Sequence, residues 1–200
     1  MNPYVEIFLA MAGFGVFHSL TARPAVKSAV RARSGTGNLG YMAVRTLISS
    51  ALLVLSLVVL FRYTSATPQL FRPVSGLPAI LPTLFAIWIG GAALGQVARS
   101  NRLPQVFGLR ETPIVFFYSG AYRLCRHPMY SGWLIASWGI LLSKPYLLTV
   151  VFNLLMTAYI VYESRREEKQ MIALFGDKYR EYRKAIPFIL PYPFPRKPPA

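Results

Sequence analysis

Between Arg45 and Arg62 the chain reads "TLISSALLVLSLVVLF", sixteen residues without a charge. Crossing the hydrocarbon core of a bilayer takes about 20 apolar residues in a helix, with a range of about 17–25. Five stretches meet or approach that length: Tyr4–Leu20, Met42–Phe61, Leu77–Ala98, Tyr130–Ser143 and Tyr146–Tyr162. The third contains "GGAALG", small residues that let helices approach closely in lipid. Lys144 and Pro145 separate the last two, which read as a tight helical hairpin. The fourth is short for a full span. Composition agrees, since 14% of the 200 residues are charged, against about 25% in an average soluble domain. The expected fold is an all-α membrane protein. It has about five transmembrane helices, the last two a hairpin, and a C-terminal cytoplasmic amphipathic helix.

The charges are unevenly placed. Net charge is +15, from 22 Lys and Arg against 7 Asp and Glu. Five of the basic residues (Arg23, Lys27, Arg31, Arg33, Arg45) lie in or beside the first connection, and two (Arg62, Arg72) in the second. Five more (Arg99, Arg102, Arg110, Arg123, Arg126) fall in the third, one (Lys144) in the hairpin turn, and nine after the last span. Basic loops stay in the cytoplasm. The alternation predicts an external N-terminus, a cytoplasmic C-terminus, and basic loops against anionic lipid heads. No nucleic-acid motif accompanies the charge, so nucleic acid is excluded as a partner. The first apolar run lacks a basic n-region and an obvious cleavage site, and reads as a span rather than a signal peptide. Cys125 is the only cysteine, which excludes an internal disulfide. His18 and His127 show no local ligand spacing, so no metal site is expected. Two regions divide the work: 1–104 with the first three spans, and 105–200 with the polar motifs.

Those motifs begin with "GAYRLCRHPMYSGW", Gly120 to Trp133. The residue before a proline avoids helix, and proline suits a helix start. Arg126 and His127 are thus expected at the entrance of the fourth span. A helix N-terminus attracts anions there. Tyr130 lies one turn further in, and Gly132 permits close approach of a ligand or helix. Downstream, Met171, Phe175, Tyr179, Tyr182 and Ile186 recur at helical spacing. Glu168 stands one turn before that stripe, and Gly176 interrupts it. The same pattern taken alone also describes an amphipathic helix lying on the membrane.

The pair of motifs "GAYRLCRHPMYSG" and "REEKQMIALFGDKYREYRKAIPFILP" resembles the isoprenylcysteine carboxyl methyltransferase-like integral membrane methyltransferases. Phospholipid N-methyltransferases and methanethiol S-methyltransferases belong to that group. "FHSLTARPAVK" (Phe17–Lys27) and "FGLRE" (Phe107–Glu111) look like segments of the bacterial methanethiol S-methyltransferases. The resemblance implies a bacterial cytoplasmic membrane enzyme that uses S-adenosylmethionine. It implies cofactor contacts from Tyr122, Arg126, His127, Pro128, Tyr130, Gly132, Glu167, Glu168 and Tyr179. His127, Arg126, Glu168 and Arg166 become the candidate catalytic residues. His18 and Arg123 are candidates on the substrate side. The implied acceptor is a small thiol or another lipophilic molecule. Isoprenylcysteine carboxyl groups and phospholipid amines are alternatives within the group. An NADPH-dependent membrane reductase and a non-enzymatic carrier or assembly protein are alternatives outside it.

Overall fold

A computed structural model describes residues 2–35, 37–99, 116, 118–192 and 194, without the side chains of 96–99. The segment Phe107–Glu111 lies outside the described residues. Those described form six α-helices: α1 (Pro3–Thr21), α2 (Pro24–Ser34), α3 (Asn38–Tyr63), α4 (Leu77–Arg99), α5 (Pro128–Ser143) and α6 (Leu147–Ala185). Short 3-10 turns occupy Thr64–Ala66 and Gly120–Arg123. No strand occurs among the described residues. The helices fall into two compact units. The first includes Met1–Arg72 and Lys144–Met156; the second includes Pro73–Asn101, Ile114–Ser143 and Thr157–Ala200.

In the first unit, Asn2 caps α1 by accepting the Tyr4 N–H at 2.9 Å, and Pro3 opens the helix where its missing N–H costs nothing. Extended Arg23 and then Pro24 start α2, which Gly35 ends at φ 65°, the left-handed conformation glycine adopts freely. Sequence reading took this segment as a plain basic connection. Tyr41 Oη donates to Thr21 O at 2.7 Å, tying the end of α1 to the start of α3, which packs along it. The chain after α3 is pinned to the start of α6. There the Leu70 N–H donates to Pro145 O at 2.7 Å, and the Leu147 N–H to Pro68 O at 2.9 Å.

Among the described residues, four helices are long and apolar enough to cross a membrane: Pro3–Thr21, Asn38–Ala66, Leu77–Gly95 and Leu147–Ala185. Leu47, Val54, Ile80, Ile87 and Trp88 are exposed on them. An apolar surface of this kind belongs against lipid, where the intrahelical hydrogen bonds already satisfy the backbone. The fourth expected span is α5, only sixteen residues long.

In the second unit, α5 packs on α4 through two glycines. A Cβ on Gly132 would stand 3.0 Å from Ala86 O, and one on Gly139 would stand 2.6 Å from Cβ of Pro82. Pro82 lies inside α4, so its ring fills the space that Gly139 leaves. Gly139→Val is therefore expected to destabilise the protein by about 1–3 kcal/mol through overpacking. Gly90→Ala meets nothing within 4 Å and should be neutral or stabilise by up to about 1 kcal/mol. Thermal unfolding of both variants in detergent checks the contrast.

The largest departure from expectation is α6. Sequence reading separates a span ending at Tyr162 from a cytoplasmic helix beginning at Glu163. The structure joins them in one helix of 39 residues, broken only at Gly176 (φ 55°, ψ −129°). The stretch from Leu147 to Phe175 is about 44 Å long at 1.5 Å per residue. That exceeds the thickness of a bilayer core, about 30 Å.

Candidate active site

The site lies wholly in the second unit. Gly120, at φ 59°, opens the 3-10 turn that leads into Arg126 and His127. This short loop is laced to the end of α6 and the chain after it. Tyr182 Oη donates to Tyr122 O at 2.7 Å. The Arg126 N–H donates to Pro187 O and the Tyr192 N–H to Leu124 O, both at 2.9 Å. Ser131, in the first turn of α5, donates to the His127 and Ile189 carbonyls. Its hydroxyl also lies 3.1 Å from Cys125 Sγ. Burial raises the pKa of that thiol, so Cys125 is a packed side chain rather than a nucleophile.

Arg126 is the hub. Its Nε donates to Glu168 Oε1 at 2.5 Å. Its Nη1 donates to Arg183 O at 2.9 Å and to Ile186 O at 2.5 Å. The guanidinium sits over the Phe188 ring at 5.3 Å. Glu168 Oε2 is 3.3 Å from Arg183 Nε. Burial pushes the Glu168 carboxyl up, but His127 and Arg126 outweigh it and hold the pKa below its ordinary value. This carboxylate lies six residues beyond Tyr162, past the apolar part of α6.

His127 is buried and faces both carboxylates. Nδ1 is 3.6 Å from Glu167 Oε2 and Nε2 is 3.4 Å from Glu168 Oε1. Nε2 makes no hydrogen bond among the described residues, so its attraction to Glu168 is one of charge. Tyr130 Oη donates to Glu167 Oε1 at 2.7 Å, which aims a carboxylate that is still 44% exposed. Burial opposes charge on His127, but Glu167 and Glu168 win and its pKa rises above the ordinary value. A raised folded pKa contributes stability that is complete below the unfolded value of about 6.5. That contribution is lost as pH rises through the higher folded value. Unfolding temperatures measured across this window should show the loss, and His127→Gln should remove that part of the pH dependence.

These side chains enclose a cavity of about 460 Å³. Seven of the residues expected from the resemblance as cofactor contacts line it: Tyr122, Arg126, His127, Pro128, Tyr130, Glu167 and Tyr179. Five others, Phe116, Met129, Gln170, Met171 and Tyr182, complete the wall. Phe116 stacks edge-on against Tyr179 and Tyr182, with centroids 5.3 and 4.8 Å away. The apolar stripe of the C-terminal segment therefore packs inward: Tyr179, Tyr182 and Ile186 are a buried cluster. Its period was visible in sequence, but its partner Phe116 carries no periodic signal.

Other candidates stand elsewhere. Gly132 faces α4 and does not line the cavity. Glu168 lines a neighbouring cavity instead. Arg166 is held by Glu163 through Nε at 3.0 Å and Nη2 at 2.6 Å, outside both. Arg123 ends the 3-10 turn and lines neither. His18 belongs to the first unit, where its Nε2 is 3.0 Å from Arg45 Nη2 and its ring 5.6 Å from that of Phe14.

Apolar helices long enough to span a bilayer, and a cavity at the mouth of α5 that sets a few charged groups among aromatic rings, define an all-helical integral membrane protein. The chain belongs to the NnrU protein family, whose model matches residues 6–187. It is 34% identical over 100 residues to a methanethiol S-methyltransferase of Crocosphaera subtropica, covering 44% of this chain and 37% of that protein. With methanethiol S-methyltransferase 2 of Bradyrhizobium diazoefficiens it shares 30% identity over 203 residues, covering 94% and 73%. A protein-S-isoprenylcysteine O-methyltransferase of Schizosaccharomyces pombe is 30% identical over 112 residues, covering 52% and 48%. The chain thus spans under half of the first and third of these relatives, and nearly three quarters of the second. No solved structure matches. These relatives agree with the resemblance read from the paired motifs. The NnrU family itself was not among the sequence-based expectations.

Proposed function

We propose that the protein is an integral membrane methyltransferase that uses S-adenosylmethionine and methylates a small thiol or another lipophilic acceptor. The observation that carries this reading is the cavity itself. It gathers a cation, a buried histidine, an aimed carboxylate and several tyrosine rings from two segments some forty residues apart. Its volume falls in the usual range for small-molecule sites, about 300–1,000 Å³. The half-exposed Glu167 carboxylate, aimed by Tyr130, is a polar group open to a further partner, as a zwitterionic cofactor would provide.

S-adenosylmethionine supplies a methyl group already activated by its sulfonium, so catalysis needs mainly alignment and a dry site. Tyr122, Tyr130 and Tyr179 present ring faces that favour a cation. Glu167, fixed by Tyr130, accepts hydrogen bonds from an amine or from ribose hydroxyls. His127 holds a proton more firmly than a free histidine and so places positive charge at the cavity wall. Arg126 and Glu168 neutralise each other and position His127. A thiol acceptor must lose its proton, and the carboxylate open to the cavity to receive it is Glu167. Arg166 acts at a remove, by holding Glu163. By the charge asymmetry of the loops, the cavity opens on the cytoplasmic side.

Relatives named for methanethiol and for protein-S-isoprenylcysteine support a sulfur-bearing or prenylated acceptor. The test is methyl transfer from labelled S-adenosylmethionine by the purified protein to a panel of thiols, prenylated cysteines and phospholipid amines. Transfer to a thiol is expected. Transfer confined to phospholipid amines would overturn the acceptor assignment, and no transfer to any member would count against the activity.

A further inference from the structure

A second cavity, of about 530 Å³, is lined by Arg126, Arg165, Glu168, Lys169, Arg183 and Phe188. It shares only Arg126 with the first. Four of its six side chains are cationic and one is a carboxylate. That carboxylate is committed: Oε1 is taken by Arg126 at 2.5 Å, and Oε2 faces Arg183 at 3.3 Å. The other acidic groups of this segment are engaged as well. Glu163 holds Arg166, Glu167 accepts from Tyr130, Asp177 pairs with Arg180 and Glu181 with Lys184.

Arg165 and Lys169 are left over. Both are exposed, and no hydrogen bond or ion pair joins either to a described residue. They stand four residues apart, so they share one face of α6, where like charges repel. The same face also meets Arg126 and Arg183 at this cavity. Concentrated positive charge of this kind, beside a carboxylate already consumed, is relieved by an anion. A carboxylate offers two oxygens in one plane. A phosphate offers oxygens in several directions and suits donors that converge from several side chains.

Depth along α6 points to the source. Arg165 and Lys169 lie three and seven residues past Tyr162, or about 4–5 and 10 Å further along the axis. The headgroup layer on each side of a bilayer is about 5–8 Å thick. Both cations thus lie past the apolar part of α6, at the end where a charged headgroup rather than an acyl chain would meet them.

We propose that this cavity is a phosphate-binding site at the membrane surface, filled by the headgroup of an anionic phospholipid. Free phosphate is the other source of the same chemistry. The assignment does not depend on the methyl-transfer reading.

The test uses the full chain in detergent. Retention of phosphatidylglycerol is measured by native mass spectrometry against phosphatidylcholine of the same acyl chains. Unfolding temperature is measured with inorganic phosphate at constant ionic strength. Arg165→Gln with Lys169→Gln empties the cavity of its uncommitted cations. Arg180→Gln with Lys184→Gln removes the same charge from the same helix outside it. Loss of two charge-assisted contacts is expected to weaken phosphatidylglycerol retention about tenfold or more. The control pair should change it by less than about twofold. Stabilisation by inorganic phosphate that vanishes only in the cavity variant would show that the site also takes free phosphate. Lipid retention without that response assigns it to headgroups. Equal retention of phosphatidylglycerol by the two double variants, with an equal response to phosphate, would overturn the proposal, because charge would then act regardless of place.

Discussion

Replacing Arg126 with alanine is expected to cost about 3–5 kcal/mol of stability, the usual consequence of stripping one partner from a buried ion pair. Its side chain is 10% exposed and that of Glu168 only 6%. The loss would leave Glu168 with a charge attraction to His127 and a long contact to Arg183. It would also leave the carbonyls of Arg183 and Ile186 without their donor. Arg126→Lys should recover only part of the loss. Lysine keeps the charge but cannot spread donors among a carboxylate and two carbonyls in a fixed plane. The double variant Arg126→Met with Glu168→Leu should be less destabilised than the sum of the two single changes, because no buried charge is left alone. Unfolding temperatures and denaturant midpoints in detergent read these differences. An Arg126→Ala variant within about 1 kcal/mol of the wild type would contradict the hub role.

The second large effect is on ligand affinity. Glu167→Ala is expected to weaken S-adenosylmethionine binding about 10- to 100-fold, the worth of roughly 1.5–3 kcal/mol in charged hydrogen bonds. Stability should fall by less than in Arg126→Ala, because the Glu167 side chain is 44% exposed and its ordered contacts are Tyr130 and His127. Tyr130→Phe leaves the carboxylate in place but unaimed, so a smaller loss, about fivefold, is expected. The order of the two variants matters more than either figure. A larger loss in Tyr130→Phe than in Glu167→Ala would place the main contact on the ring or hydroxyl instead.

The parts of this fold that sequence made legible are those with a physical signal confined to one segment. α1, α3 and α4 are long apolar runs, and length plus apolarity is enough to read them. α2 had its punctuation, Pro24 at the start and Gly35 at the end, but its basic composition masked it as a connection. α6 continues through Glu163, where sequence reading passed from a span to an amphipathic helix, because polarity changes there while helix preference does not. Residues 163–175, "ESRREEKQMIALF", are mostly strong helix formers, and the first glycine comes at 176. The site divides along the same line. Arg126, His127, Glu167 and Glu168 stood out as charges beside apolar segments, and the resemblance paired them. Phe116 and Gln170 did not, since each takes its role from a partner far along the chain. Gly132 was legible as a point of close approach, yet what approaches is helix α4.

The measurement that bears most directly on the central claim is calorimetric titration of S-adenosylmethionine into the detergent-purified full chain, with Glu167→Ala beside it. Saturable binding at a single site, weakened at least tenfold in the variant, is the predicted result. Absence of binding by wild-type protein that still unfolds cooperatively would contradict it, and the cavity between the Arg126–His127 loop and α6 would then need a different ligand.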